Sequence, residues 1–361
     1  NYLNPDHHAA VPLVELPVAL NPYRADGVRV YLKLMHHLPL GNVKSLPAYN
    51  MLEALKREPS ASHTHALVEA SSGNTVFSLA VTARATLGID TTLAIASHEV
   101  EPGKLNLLRL LGTSVRVVEE DICPDPTDPT SAPNLAKAQA NEAGWANLAQ
   151  YENEANPAAH RRWTGPQLWE QTAGSITTLT AGLGTCGTLV GTSAYLKERL
   201  PTLHTIGAVR APNNPVPGVR TEGLLREIQF SWQDAVDSLV PVGTVDAYRR
   251  SADCCRHGLL VGPSAGFALS ALYQQIETWK AAGTLDTHRN ETGDVVAVVI
   301  SPDGPLAYLE EYFRYLPDSY FPPIENAHLL ATSEHAHGGV GAVSDADISD
   351  LNLPPESLQR L

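Results

Sequence analysis

Four short stretches of this 361-residue sequence carry residue types that can hold and activate a small anionic ligand. Lys44 follows Leu38-Pro-Leu-Gly-Asn-Val43, where a helix is expected to begin. A lysine is electrostatically disfavoured at the positive end of a helix. A neighbouring cation or loss of water there lowers its pKa, and the free amine is a nucleophile toward an aldehyde. Gly182-Leu-Gly-Thr-Cys-Gly-Thr188 lies between an apolar strand and a helix. Glycine lets the backbone approach an anion, and successive N–H groups, threonine hydroxyls and the positive helix end can cradle a phosphate. The stretch lacks the Lys-Ser/Thr ending of a Walker loop and the spacing of a dinucleotide-binding turn. Ser71-Ser-Gly-Asn-Thr75 occupies the same kind of position. Its hydroxyls and N–H groups suit a carboxylate, and Asn74 offers both a donor and an acceptor. Gly262-Pro-Ser-Ala-Gly266 again joins an apolar run to an Ala-rich helix, and Ser264 can serve a ring nitrogen. Each stretch also has a purely structural reading: a tight turn, a capped helix or a surface lysine.

Alternating strands and helices are needed to hold such turns, and the apolar pattern supplies them. Strands are expected at 28–34, 66–68, 91–96, 114–118, 175–183 and 294–300. Helices are expected at 45–56, after residue 75 to 87, and at 103–111, 135–143, 160–172, 188–199, 246–257 and 265–281. Ser45 is a candidate cap for the first helix, with Pro47 in its opening turn, where a missing N–H costs nothing. Alternation of this kind builds parallel sheets through right-handed crossovers, with ligands at the carboxyl ends of the strands. The first ten residues read as a loose polar arm, 123–133 as a Pro-rich surface loop and 210–218 as a linker-like loop. From about residue 317 the pattern reads as a partly ordered tail. Its histidines (His328, His335, His337) are better explained by solvation than by a metal.

The length argues for two domains sharing a cleft. Hydrophobic residues make up 43%, enough for a substantial core, and the low aromatic share of 6% suits buried strands and small-residue helices. The net charge of −14 repels phosphate backbones and anionic lipid, so neither a nucleic-acid nor a membrane partner is expected. Any bound anion must then be held by local groups. No apolar run reaches the length of a membrane span, and the opening residues do not resemble a signal peptide. Four cysteines (Cys123, Cys186, Cys254, Cys255) make no disulfide framework in a chain this long, so a reducing cytoplasm is the expected location. Cys254-Cys255 with His257 lacks the spacing of a zinc site, and no metal is expected.

Taken together, in this order and spacing, the four stretches resemble the β family of pyridoxal-phosphate enzymes (fold type II), specifically its cysteine synthase and cystathionine β-synthase branch. The resemblance runs from about residue 12 to about residue 315. It includes Glu69-Ala-Ser-Ser-Gly-Asn-Thr75, Lys104-Leu-Asn-Leu-Leu-Arg-Leu-Leu-Gly112, Asn156-Pro157, Thr164-Gly-Pro-Gln-Leu-Trp169 and Tyr308-Leu309. It implies a tryptophan synthase β-like α/β architecture, with two doubly wound domains and the active site in the cleft between them. The larger, cofactor-binding domain would comprise 12–48 plus 158–316, and the smaller, substrate-loop domain 49–157. Residues 1–11 would form an N-terminal arm and 317–361 a C-terminal tail.

The resemblance also implies pyridoxal 5′-phosphate, held as a Schiff base on Lys44, which afterwards shuttles the α-proton. Asn74 would meet the phenolic oxygen, and Gly184, Thr185, Cys186, Gly187 and Thr188 the phosphate. Ser264 would face the pyridine nitrogen. Ser71, Ser72, Gly73 and Thr75, with Gln150, would take the α-carboxylate of an amino-acid substrate. A neutral ring partner makes a weaker electron sink, which suits β-elimination through an aminoacrylate better than racemisation or transamination. The expected activity is β-replacement on serine, O-acetylserine or O-phosphoserine by a thiol or another nucleophile, in a protein that is usually a homodimer.

Several positions depart from the branch. Leu38-Pro39 replaces the usual Asn-Pro, Asn42 a Ser two residues before the lysine, and Ser45-Leu46 an Asp-Arg pair. Val76 stands where a Gly is usual, and Cys186, read as a small buried thiol, where Gly or Thr is. Pro217-Gly-Val-Arg220 resembles the Pro-Gly-Ile-Arg of B-type O-acetylserine sulfhydrylases. Arg220 either pairs with an anionic group of a substrate or sits in a solvated loop. These changes point to an unusual substrate or partner, such as one for a specialised amino acid. Two rival readings are a serine/threonine dehydratase of the same fold and a low-activity regulatory sulfhydrylase relative that binds a partner enzyme. The dehydratases usually show Ser-Ala-Gly-Asn-His and four glycines in a row, which this chain lacks.

Overall fold

The apolar, β-branched segments of the sequence become the strands of two sheets. A computed structural model describes residues 2–71, 73–98, 100, 102–119 and 128–330. In chain order the strands are β1 (Leu13–Glu15), β2 (Val28–Leu34), β3 (Ala66–Ala70), β4 (Thr91–Ser97), β5 (Ser114–Val118), β6 (Trp145–Asn147), β7 (Thr178–Gly182), β8 (His204–Arg210), β9 (Ser238–Val242) and β10 (Val295–Ser301). A six-stranded sheet runs β1-β2-β10-β7-β8-β9 and a four-stranded sheet β5-β4-β3-β6. The pairings are parallel except that edge strand β1 lies antiparallel to β2. The helices are α1 (Ser45–Leu55), α2 (Asn74–Leu87), α3 (Pro102–Leu110), α4 (Ala132–Gln139), α5 (Ala155–Ala159), α6 (Gly165–Gln171), α7 (Gly187–Lys197), α8 (Trp232–Ala235), α9 (Thr244–Arg256), α10 (Pro263–Ala282) and α11 (Leu309–Tyr315).

Every residue of β3 and β10 is buried, as expected for parallel strands covered by helices on both faces. The order of the larger sheet explains where a ligand can sit. β10 comes last in the sequence yet lies between β2 and β7, so connections leave the middle of the sheet in opposite directions. A crevice opens at the carboxyl ends of strands at such a switch point. The two doubly wound layers implied by the motifs are therefore present. Both lie in one unit of the chain, Asn1–Leu316, and Pro317–Leu361 forms a second.

Several local expectations need correction. β8 and β9 fall in stretches that carry Gly207 and Pro241, residues that weaken a strand pattern. Pro241 is tolerated because β9 is an edge strand, and Gly207 because a Cβ there would lie 2.7 Å from Leu183. β1 and β6 span three residues each, too few to show periodicity. The helix expected at 160–172 begins earlier, as α5, and passes through a π-helical turn at His160–Thr164 before α6. That wider turn breaks the 3.6-residue phase. Ser45 does not cap α1, since Lys44 holds the N-cap position and the Ser45 hydroxyl donates to Asn42 O.

The N-terminal arm is not loose. Asp6 accepts hydrogen bonds from Arg162 Nη2 at 2.6 Å and Trp163 Nε1 at 2.8 Å. Fully buried Lys33 then ties Val11 to α6, donating to Val11 O, Gln167 Oε1 and Gln171 Oε1 at 2.7–2.8 Å. Of the loop expected at 123–133, Ala132 and Pro133 belong to α4, and 123–127, with Cys123, lie outside the described residues. In the tail, 317–330 carries two short turns at Asp318–Tyr320 and Ala327–Leu329, and His328 is exposed. His335 and His337 lie outside the described residues. Among the described residues no group of three or more His, Cys, Asp or Glu could hold a metal, and no helix is long and apolar enough to cross a membrane.

Candidate active site

A cavity of about 230 Å³ opens where the carboxyl ends of β3, β4, β7 and β10 meet the first turns of α1, α2, α7 and α10. Of the residues expected to carry chemistry, it brings together Lys44, Ser71, Gly73, Asn74, Thr75, Gln150, Gly184, Thr185, Cys186, Thr188, Arg220 and Ser264. Gly187 does not line it. A Cβ at Gly187 would stand 2.3 Å from Asn156 Oδ1, so this glycine serves packing behind the wall. Ser72 lies outside the described residues.

Lys44 sits on a stitched backbone. Its N–H donates to Asn42 Oδ1 at 2.8 Å, Asn42 Nδ2 donates to Leu40 O, and the neighbouring Val43 N–H donates to Pro302 O beyond β10. Ser78 of α2 adds a bond to Asn42 Oδ1 at 3.2 Å. The substitution of Asn42 for the usual serine therefore leaves the start of α1 well anchored. Lys44 keeps some exposure, on the cavity it lines, but the protein around it removes most of its hydration. That burial lowers its pKa to about 8, against opposing pulls from Cys186 and Asp303.

The β7–α7 turn is tightly packed. Cys186 takes a left-handed conformation (φ 64°) as the N-cap of α7, one that costs a residue with a Cβ. Thr185 Oγ1 accepts from Gly187 N–H at 3.4 Å and from Asn156 Nδ2 at 3.2 Å. The leading N–H groups of an eleven-residue helix have no intrahelical acceptor and point toward this end. Behind Thr188, the wholly buried His160 bonds Thr188 Oγ1 at 3.2 Å and Thr164 Oγ1 at 2.9 Å. Burial and the nearby Lys44 hold its pKa down at about 3, so the ring is neutral.

The β3–α2 turn supplies hydroxyls. Ser71 Oγ accepts from Gly73 N–H at 3.3 Å, and Thr75 Oγ1 donates to Gln150 Oε1 at 2.6 Å. Gln150 Nε2 returns a bond to Ala70 O, closing the link between β3 and the segment after β6. Glu69 props the same segment from below. Burial pushes its carboxyl up to about 8, against bonds from Gln150 and Ala149.

Ser264 lies in the first turn of α10 and makes no capping bond. Arg220 is buried, which removes the solvated-loop alternative. Its backbone pairs with Leu183 and Arg210, and its guanidinium lies 4.4 Å from the centre of the Tyr151 ring, with both side chains on the cavity wall.

Asp303 lines the cavity and His160 lies behind Thr188, and neither was singled out in the sequence, whereas Lys104 and Tyr308, which also line the cavity, stood there only within stretches that match the family. Of the two missed, Asp303 alone had a usable signal, a Ser-Pro-Asp-Gly turn at the carboxyl end of an apolar strand.

Fold and cavity define a doubly wound α/β protein that holds an amine nucleophile, an anion cradle and a carboxylate-type loop on one cavity. The chain matches the model of the family described as "pyridoxal-phosphate dependent enzyme" over residues 5–301. It is 32% identical over 309 residues to a cysteine synthase of Aquifex aeolicus, covering 82% of this chain and 88% of that one. It is 31% identical over 244 residues to cysteine synthase B of Pseudomonas aeruginosa, covering 67% and 79%. The crystal structure of O-ureido-L-serine synthase superposes with a TM-score of 0.71 at 22% identity over 91% of this chain and 98% of that one, a likeness of fold. The chain belongs to the pyridoxal-phosphate-dependent enzyme family, in its cysteine synthase and cystathionine β-synthase branch, with the type II fold. Pyridoxal 5′-phosphate is its cofactor, and β-replacement on a serine derivative is its class of reaction.

Proposed function

We propose that this enzyme removes the β-substituent of serine or an activated serine, O-acetylserine or O-phosphoserine, and adds a thiol or another nucleophile in its place. One observation carries the reading: the low-pKa amine of Lys44, the β7–α7 cradle, the β3–α2 turn and Ser264 all open on a single cavity. The donor set fits the cofactor group by group. Thr185, Thr188 and the first turn of α7 suit its phosphate, Lys44 its aldehyde, Asn74 its ring oxygen and Ser264 its ring nitrogen. When bound, the cofactor supplies an electron sink for the substrate's α-carbon.

The protein's own groups do the rest. Ser71, Gly73, Thr75 and Gln150 hold the substrate α-carboxylate at the helix N-terminus, where N–H groups and the helix dipole favour negative charge. Lys44 Nζ takes the α-proton and returns it, a task suited to an amine with a pKa near working pH. Ser264 offers a neutral hydroxyl, so no carboxylate strengthens the sink beyond what β-elimination needs. Arg220 stays charged against the face of Tyr151 and favours a substrate or sulfur donor with an anionic group. The same reading proposes lobes of 12–48 plus 158–316 and of 49–157, a homodimer and a cytoplasmic location.

The test mixes the cofactor-loaded enzyme with O-acetylserine, O-phosphoserine and serine. It follows the visible absorbance, then adds nucleophiles and identifies products by mass. The proposal expects a spectral change with at least one activated serine and a new product after nucleophile addition. A Lys44→Ala variant should lose its borohydride-reducible adduct, and an adduct retained at the active site overturns the assignment of Lys44. Arg220→Ala should lower kcat/KM for O-phosphoserine by about 10- to 100-fold, the worth of a charged hydrogen bond. Equal losses with every donor remove the anion reading.

A further inference from the structure

Asp303 follows β10 at the cavity wall and has no part in the roles assigned above. We infer that Asp303 is the positioning residue for Asn74, fixing that amide across the cleft with its nitrogen committed as a donor. The inference rests on the assignment of Asn74 to the cofactor's ring oxygen. Asp303 is 6% exposed and places Oδ2 2.7 Å from Asn74 Nδ2 and 2.5 Å from the Tyr308 hydroxyl, which both donate to it. Burial raises the pKa of Asp303, but its Oδ2 already accepts a hydrogen bond from the Tyr308 hydroxyl and so meets Asn74 as an acceptor, whereas an amide can present either its oxygen or its nitrogen. Asp303 therefore selects the nitrogen of Asn74. One N–H is spent on the carboxylate, and the second hydrogen of the same nitrogen remains for a ligand in the cavity that both residues line.

The carboxyl group has little room to move. Its other oxygen, Oδ1, has no hydrogen-bond partner among the described residues, and a Cβ on Gly262 would lie 2.5 Å from it. Gly262 N–H donates to Asp303 O at 2.9 Å, and Val43 N–H holds Pro302 O at 2.8 Å. The bonds also join the two layers. Asp303 and Tyr308 follow the last strand of the six-stranded sheet, whereas Asn74 opens α2 beside the four-stranded sheet. Lys104 of α3 lies over the Tyr308 ring at 5.1 Å, so a second contact between the layers adjoins the first.

The test loads Asp303→Ala, Asp303→Asn, Asn74→Ala and the two double variants with pyridoxal phosphate. It measures the position of the visible absorbance band and the cofactor dissociation constant. Asp303→Ala is expected to shift the band in the same direction as Asn74→Ala and to weaken cofactor binding about tenfold, the low end for a charged hydrogen bond. In the Asn74→Ala background the Asp303 substitution should add nothing. Asp303→Asn keeps the volume and one acceptor, and should recover part of both effects. If the alanine variant does not fold, the asparagine variant carries the same cycle. Additive effects in the double variants, or an unchanged band in the Asp303 variants beside a shifted one in Asn74→Ala, overturn the inference and leave Asn74 assigned. An unchanged Asn74→Ala protein overturns both.

Discussion

The β7–α7 turn and the β3–α2 turn have the same plan, in which the carboxyl end of a buried strand feeds the N-terminus of a helix at the cavity wall. Their packing differs. In the first, a Cβ on Gly184 would stand 2.2 Å from Gly218 O, and one on Gly191, a turn further along α7, 1.9 Å from Pro157 O. Asn156 adds a clamp, donating to both Thr185 Oγ1 and Gln150 O. In the second, a Cβ on Gly73 would meet only Lys104 Cδ, at 4.0 Å. One turn is jammed against backbone and the other has slack. A group that stays through every turnover needs the former, and a substrate that must enter and leave needs the latter.

The contrast can be broken most directly at Gly191. Gly191→Ala forces α7 away from α5 and is expected to cost about 3 kcal/mol, at the upper end of ordinary overpacking. An unchanged denaturant midpoint would show that the cradle is not jammed.

The next effect concerns pH and separates the two sides. Glu69, under the slack turn, has a folded pKa raised from 4.5 to about 8. Its share of stability is fully present below about pH 4.5 and is lost as pH rises through 8. His160, under the jammed turn, has its pKa lowered from 6.5 to about 3, so its linkage has the opposite sign: its share of stability is present above about pH 6.5 and is lost as pH falls through 3. The two offset each other between about pH 4.5 and 6.5, so the net decline in stability should fall between 6.5 and 8. Glu69→Gln should flatten that decline, while His160→Asn should extend it down to about pH 4.5. A decline that persists in Glu69→Gln assigns it elsewhere.

Smaller still, Cys186→Gly relieves a left-handed residue and should raise stability by about 1 kcal/mol, less what the buried thiol contributes. A loss of stability instead would mean that packing of the thiol outweighs the backbone. The smallest change is expected for Gly73→Ala, within about 1 kcal/mol in stability, with its effect confined to KM for the amino acid. A large drop in melting temperature there would remove the difference between the turns.

The parts of the site that the sequence disclosed are those whose chemistry is local. A phosphate-type turn needs Gly, Thr and a helix start within a few residues, and so does a carboxylate-type turn. Both were legible, as were β2 and β5 to the residue and the seven-residue apolar run of β10 to within one. Roles set by distant partners were not. Asn74 and Asp303 are 229 positions apart, and nothing near either one announces the bond. Arg220 reads as a loop arginine until β7 and Tyr151 cover it, and His160 hides in a helix whose π-turn breaks the expected phase. β8 and β9 were missed because Gly207 and Pro241 satisfy tertiary demands at the expense of local pattern.

The thiol in the cradle has one more consequence. Burial pushes Cys186 up to about 12, so at neutral pH almost none of it is thiolate, the form that attacks disulfides and is oxidised by peroxide. An enzyme whose proposed partners include thiols thus keeps a sulfur of its own close to Lys44 without exposing it to mixed-disulfide exchange. The β7–α7 end of the site should stay chemically intact through oxidising episodes.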